Sequence, residues 1–308
     1  MQNWRKLGLI FSADKHSCWM QSHASVPFVS SIKDDLIEVG FSTRDKDQVS
    51  SICSLIFNIN TLKVQEIADH PLLTRGSLGS FDDSGVMGSC ILRKGDHIYM
   101  YYIGWNLGVT VPFRNSIGIA RSTDNGKTFH KLFRGPLLDR TRDEPHFVAS
   151  NCVLEDEGIY KILYLSCTDW YKDAKTGKVT HKYHIKYAES HNCIDWNRKG
   201  IVAIDYKDSH EYAISVPRVV KDGDLYKMWF SSRGSKDLST YRIRYAESVD
   251  GIHWSRAEHD VVLDVSDSGW DSEMVCYPFV FDHNSKRYML YNGNGYGKSG
   301  FGVAVLED

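Results

Sequence analysis

The chain has 308 residues, 37 Lys and Arg against 39 Asp and Glu, and a formal net charge of −2. That balance gives no electrostatic footprint for nucleic acid or an anionic membrane surface, and no stretch approaches the ~20 apolar residues of a membrane span. Aromatic residues make up 12% of the chain, with 8 Trp and 17 Tyr, a composition that suits half-buried strands and sugar-stacking walls alike.

The N-terminal segment MQNWRKLGLIFSADKHSCW holds one short apolar run, LGLIF, with neither a signal-peptide core nor a small-residue cleavage site. KLGLIFS (6–12) reads as a strand without a hairpin partner. From there the chain repeats one pattern five times: a tight apolar strand, a polar turn, then an aromatic strand. The first strands are SVPFV (Ser25 to Val29), GSCIL (Gly88 to Leu92), SNCVL (Ser150 to Leu154), VPRVV (Val216 to Val220) and YPFVF (Tyr277 to Phe281). Aligned at Pro27, Ser89, Asn151, Pro217 and Pro278, they lie 61 to 66 residues apart.

The second strands are 36–45, 97–105, 159–170, 225–234 and 287–295, often after turns such as RKGD, EDEG and KDGD. Third strands follow at 50–59, 116–122, 183–190, 241–248 and 301–307. Fourth strands are expected through FHKL, WNRKG and WSRAE, after turns that place Gly, Asn or Asp before an aromatic. Blade five lacks a fourth strand of its own. The pattern predicts an all-β fold: one domain over 1–308, a five-bladed β-propeller with four-stranded antiparallel blades, closed by the N-terminal strand in the last blade. The longest irregular stretches, Trp105 to Asn115, Phe133 to Phe147, Trp170 to His181 and Ala257 to Ser272, are expected as loops on the propeller faces.

Seven cysteines, an odd number without close pairing, sit largely inside strands (Cys90, Cys152, Cys276). They read as buried thiols in a reducing compartment, and no CxxC or Cys/His spacing suggests zinc. The expected location is cytoplasmic, with no membrane attachment and no metal ligands.

Antiparallel pairing brings the start of each first strand beside the end of each second strand. His23, Asp82, Asp83, Glu144, Glu211, Asp271 and Glu273 are thereby expected on one rim with Arg44, Trp105, Arg233 and Asn292. Converging carboxylates with aromatic walls suit glycoside chemistry, one protonated acid serving the leaving oxygen and a second carboxylate acting as base or nucleophile. Glu211 and Glu273, each flanked by apolar residues, and Asp83 are the expected catalytic groups. Each has a plainer alternative, a bond to turn amides or an ion pair; for Glu144, in RTRDEPH, that partner is Arg140 or Arg142. His23, Arg114, Arg140 and Arg233 are expected substrate-binding cations for one mouth, Glu144, Asp271 and Asn292 its polar contacts, and Trp105 and Tyr277 its sugar platforms. Two arginines with a histidine would also clamp a phosphate or diphosphate.

With YMYYIGW, YKMWFSSRG and the turns of ARSTDNGKTF and AESVDGIHW, the chain resembles the five-bladed propeller glycosidases: the arabinanase/xylosidase and invertase-like families and the mannoside phosphorylases. FDDSGVMGS, WDSEMVCYPFVF and YMLYNGNGYGKSGFGVA are similar to relatives that accompany surface-polysaccharide biosynthesis. The resemblance implies a carbohydrate-active enzyme that cleaves or transfers a glycosyl unit. The alternatives are a phosphorylase or nucleotide-sugar-processing glycosyltransferase, and a non-catalytic glycan-binding propeller. It also implies a carbohydrate or sugar-nucleotide partner, no obligatory cofactor, and in some relatives a structural calcium near the axis. Asp83 and Glu144 match the second and third acidic positions of the arabinanase-like pattern. The first departs: SHASVPFV offers His23 and no carboxylate, so the base does not carry over.

Overall fold

The computed structural model describes residues 2–174, 176–234 and 238–307. After β1 (Asn3–Phe11) come β2 (Ser22–Lys33), β3 (Leu36–Arg44), β4 (Ser50–Asn58) and β5 (Lys63–Ile67), then β6 (Gly85–Lys94), β7 (His97–Leu107), β8 (Phe113–Ser122) and β9 (His130–Lys131). The chain continues with β10 (Val148–Asp156), β11 (Ile159–Lys172), β12 (Val179–Ser190) and β13 (Val202–Ile204), then β14 (Ala213–Asp222), β15 (Leu225–Arg233), β16 (Arg242–Ser248) and β17 (Ser255–Leu263). It ends with β18 (Cys276–His283), β19 (Lys286–Asn292) and β20 (Phe301–Glu307), a single helical turn at Asn294–Gly297 joining the last two.

Consecutive strands within β2–β5, β6–β9, β10–β13 and β14–β17 pair antiparallel. β1 pairs antiparallel with β20, giving the order β1-β20-β19-β18. Single parallel bridges, Ser50 to Gly85 and Tyr183 to Ala213, link neighbouring runs. The hairpin turns are tight because Gly95 and Gly223 take positive φ at no steric cost.

The five first strands touch in turn: β2 meets β6, β6 meets β10, β10 meets β14, β14 meets β18 and β18 meets β2. Each has a break in register near its start. At three of these bulges a non-glycine residue is left-handed, Val26 (φ 51°), Val216 (φ 49°) and Tyr277 (φ 58°), each directly before a proline. Such backbone is strained by roughly 1–3 kcal/mol, and neighbours hold it. The Val26 N–H donates to Asn292 Oδ1 (2.8 Å), the Val216 N–H to Ser150 Oγ (3.0 Å) and the Tyr277 N–H to Ser231 Oγ (2.7 Å). Gly88 and Asn151 donate likewise to Ser42 and Ser89. The apolar core fills the spaces between sheets, with Tyr101, Tyr164, Phe57, Trp229 and Phe301 among its fully buried side chains. Six of the seven cysteines are buried, and Cys18 is exposed.

Three expectations need correction. Two of the presumed loops are the outer ends of hairpins: β7 runs to Leu107 with β8 starting at Phe113, and β11 runs to Lys172 with β12 starting at Val179. Gly108 and Pro112 in the first connection, and Lys172, Asp173, Gly177 and Lys178 in the second, have the composition of turns and hide these extensions. The fourth strand of the third run is Val202–Ile204 rather than WNRKG, which contributes an isolated bridge from Asn197 to Glu189. β17 occupies much of the stretch assigned to a loop at 257–272.

Candidate functional site

The strand bulges do more than bend the sheet, because a bulge re-aims side chains. Val26, Val216 and Tyr277 all line a cavity of about 290 Å³ where the first strands meet. Its walls are Trp105, Phe113, Phe147, His181, Tyr183, Tyr241 and Tyr296, and its polar groups include Ser25, Ser150, Asn115, Arg44 and Arg233. Arg44, Trp105 and Arg233 end or nearly end β3, β7 and β15. They hold equivalent places, since their carbonyls accept from the N–H groups of Gln21, Ser84 and Tyr212.

The aromatic groups form a continuous surface. Trp105 and Phe113 lie 4.8 Å apart by ring centroids, Phe113 and Trp170 5.3 Å, and Trp170 and His181 4.8 Å, while His181 stacks on Tyr183 at 5.1 Å. The Tyr183 and Tyr241 hydroxyls bond each other. The Arg233 guanidinium lies 4.8 Å from the Tyr241 ring and 5.8 Å from that of Tyr296, and donates to Tyr296 Oη at 2.5 Å. Tyr296 reaches this place from a tight turn in which it and Gly295 are both left-handed.

Burial keeps the phenols protonated: Tyr183 and Tyr277 are pushed well above the usual tyrosine value. Burial, with Arg233 next, pushes His181 down to about 4, and burial with Arg44 and Lys298 does the same to His23. At neutral pH the cavity therefore offers phenol donors, an uncharged imidazole and two guanidinium cations. Buried polar atoms of its lining residues with no hydrogen-bond partner among the described residues include Trp105 Nε1, Asn115 Oδ1, His181 Nδ1 and Arg233 Nε.

Among the described residues, no Asp or Glu lines the cavity. Four rim carboxylates are instead deeply buried and paired. Asp82 meets Lys131 (2.6 Å) and Tyr102 (3.1 Å). Glu144 meets Tyr164 (2.9 Å), Lys186 (2.9 Å) and Arg198. Asp271 meets Lys6 (2.7 Å) and Tyr291 (3.0 Å). Glu211 accepts both Arg256 Nη atoms (2.8 and 2.9 Å), the Lys207 N–H (2.7 Å) and the Ser232 hydroxyl.

The expectation that Glu211, Glu144 and Asp271 face the substrate is thus corrected. These carboxylates are buried, but cations from distant strands fill the space around them. Asp83 is spent on a turn: it accepts from Ser84 (2.8 Å), the Gly79 N–H (2.9 Å) and Asn106 (3.0 Å), and these bonds lower its pKa against the opposing effect of burial. Glu273 is exposed and forms no ion pair with the described residues; its N–H is held by Asn294 Oδ1 (2.8 Å).

Of the remaining expected contacts, Trp105, Arg233 and Tyr277 line the cavity, while His23, Arg114, Arg140 and Asn292 do not. His23 bonds Ser22. Arg114 lies opposite Asn106 in the outer part of the β7–β8 hairpin. Arg140 lies half-exposed beside Asp139. Asn292 is fully buried and holds the Val26 N–H and the Ala24 and Gly300 carbonyls.

His181, Tyr183, Tyr241 and Tyr296 line the cavity without being expected there, whereas Arg44 stands at one of the second-strand ends expected on the rim with Trp105 and Arg233. His181 carries no such signal, because the tip of its hairpin has the composition of a loop. No group of three or more His, Cys, Asp or Glu among the described residues is arranged to hold a metal ion.

The chain belongs to the family of Uncharacterized protein Rv1502 from Mycobacterium tuberculosis, with 40% identity over 306 residues and 99% of each chain covered. Similarity to the 1,2-beta-oligomannan phosphorylase of Thermoanaerobacter sp. is more distant, 24% over 144 residues and 46% of each chain. Among solved structures, the fold matches a glycoside hydrolase (TM-score 0.76, 15% identity, 99% of this protein and 91% of that one). It also matches a thermostable family-43 glycoside hydrolase (TM-score 0.68, 16% identity, 94% and 89%). No family model matches the sequence. The fold is that of the glycoside hydrolase-like all-β proteins.

Proposed function

We propose that the chain is a carbohydrate-active enzyme, a ring of five four-stranded blades closed by β1, acting on a glycosyl unit held in the axial cavity. The observation that carries this reading is the tyrosine- and tryptophan-walled cavity at the meeting of the first strands, in a fold shared with glycoside hydrolases. Its volume is at the lower edge of the ~300–1,000 Å³ usual for small-molecule sites, which suits one or two sugar units. Trp105 and Tyr277 serve as platforms, and of the hydrogen-bonded phenol pair Tyr183 and Tyr241 one O–H is left to donate to a ring hydroxyl.

As proton donor to the leaving oxygen we propose Glu273, which stands outside the cavity lining on the segment bonded to the turn that carries Tyr296. It is the one expected catalytic carboxylate with no ion-pair or hydrogen-bond partner for its side chain among the described residues. The proton passes to the leaving oxygen as the bond to the anomeric carbon breaks, and an incoming oxygen takes that carbon. The test is a product screen of the purified protein on oligosaccharides and activated sugars, with and without phosphate. Glu273→Gln should cut turnover at least a hundredfold, the scale of general acid catalysis. Unchanged turnover would remove Glu273 from the chemistry.

The cavity's lack of a carboxylate among the described lining residues favours a second reading, a propeller that binds a glycan without cleaving it. It predicts a saturable sugar complex and no product from any substrate.

A further inference from the structure

The two arginines of the cavity differ from most of the chain's other largely buried arginines; Arg218 also contacts no carboxylate among the described residues, but its guanidinium donates to the Val280 carbonyl (2.9 Å) and lies 4.0 Å over the Phe279 ring. Arg198, Arg244, Arg256 and Arg287 each contact one or more carboxylates. Arg44 and Arg233 contact none among the described residues. Arg233 is wrapped by the rings of Tyr212, Tyr241 and Tyr296, and among the described residues its guanidinium donates to one side chain, the Tyr296 phenol. Its buried Nε has no acceptor. Arg44 is half-buried with Tyr277 as its electrostatic neighbour, and burial lowers its pKa.

A guanidinium taken out of water without a counter-ion is costly. Two in one small cavity, each presenting a planar fork of donors, remain favourable when an oxyanion completes them. A carboxylate would neutralise one; a phosphoryl dianion neutralises both. The surrounding groups agree, since His181 and the phenols add hydrogen-bond capacity and no negative charge.

The geometry points to an anion subsite in the cavity, formed by Arg44 and Arg233, that takes the phosphoryl group of a phosphorylated or diphosphate-linked sugar. This rests on the carbohydrate reading above and names its substrate class. The sugar lies against the aromatic wall of Trp105 and Phe113, and the phosphoryl oxygens against the two forks.

Calorimetric titration and thermal shift of the intact protein test this with five probes: hexose 1-phosphates, nucleoside-diphosphate hexoses, inorganic phosphate, glucuronate and the free hexoses. At least one phosphorylated sugar should bind at least tenfold more tightly than its free hexose and than glucuronate, and weaken as salt rises. Arg233→Gln and Arg44→Gln should each reduce that affinity tenfold or more, and the wild-type titrations stand alone if either variant fails to fold. Equal affinity for free and phosphorylated sugars would overturn the anion subsite and leave the carbohydrate reading intact. Inorganic phosphate binding as tightly as every sugar phosphate, with loss in both variants, would keep the anion subsite, overturn a phosphorylated sugar as its occupant and leave the carbohydrate reading to the product screen. No response to any phosphoryl probe at millimolar concentration would overturn the subsite.

Discussion

The rim and the cavity draw on the same residue types at neighbouring strand ends and treat charge in opposite ways. On the rim, Asp82, Glu144, Glu211 and Asp271 are each within a few per cent of complete burial, and each is matched by a cation. In the cavity, Arg44 and Arg233 are left without a carboxylate among the described residues. A buried charge that is paired belongs to the fold, whereas one left open belongs to a ligand or to nothing. An acidic residue at a repeated position thus marks the architecture here, whereas the equivalent strand ends that face the cavity carry different side chains, Arg44, Trp105 and Arg233.

The strongest way to break this comparison is to unpair the rim. Glu211→Ala should cost about 3–5 kcal/mol of unfolding free energy, the usual penalty for removing one partner of a buried ion pair. Arg256 would lose two hydrogen bonds and keep Asp260 as its carboxylate partner, with the Asp205 carbonyl at 3.1 Å. Urea denaturation measures it, and a loss under about 1 kcal/mol would mean that Glu211 is not a structural counter-ion. A catalytic Glu211 would instead show a stable variant without turnover.

A second effect separates cavity from rim by pH. His181 is pushed down to about 4 from an ordinary value of 6.5, by burial and then by Arg233. Between those values the unfolded chain binds the proton and the folded chain does not. The stability gained from keeping His181 neutral is therefore complete above pH 6.5 and lost as pH falls toward 4. His23, shifted the same way, adds to the slope. The melting temperature should fall across this window, and His181→Phe, which keeps a ring against Trp170 and Tyr183, should flatten the fall. An unchanged slope would mean that His181 is solvated in the folded state.

The repeat makes most of the strand order legible, because apolar alternation and Gly/Asp turns are local signals. The strand ends facing the cavity are also legible, and they single out Trp105, Arg233 and Tyr277. What the sequence hides is partnership. Glu211 reads as a carboxylate among apolar residues, and nothing near it in the chain announces Arg256, 45 residues on. The same holds for Asp271 and Lys6, joined only because β1 pairs with β20. The hairpin that carries His181 is hidden because its tip, with Lys172, Asp173, Gly177 and Lys178, has the composition of a loop.

The smallest effect sharpens the comparison within the rim itself. Tyr102, Tyr164 and Tyr291 each donate to the buried carboxylate twenty residues earlier. Phe230 and Phe41 stand at the matching places, three residues before Arg233 and Arg44 as Tyr102 stands before Trp105. In the fourth run Ser232 supplies the missing hydroxyl to Glu211, and Arg256 lies 5.2 Å over the Phe230 ring. In the first run the space is apolar: Phe41 packs on Phe11 and Phe301, and Met20 is fully buried. The ring is therefore the constant of the repeat and the hydroxyl its adjustable part. Tyr291→Phe should keep the packing and lose one bond, costing about 1–2 kcal/mol, because Lys6 still neutralises Asp271. Tyr102→Phe should behave alike, and the double variant should sum to within ~0.5 kcal/mol, since the two locks share no partner. Denaturation of the three variants measures both terms. A cost for Tyr291→Phe as large as that of Glu211→Ala would show that the hydroxyl, and not the cation, holds the carboxylate in place.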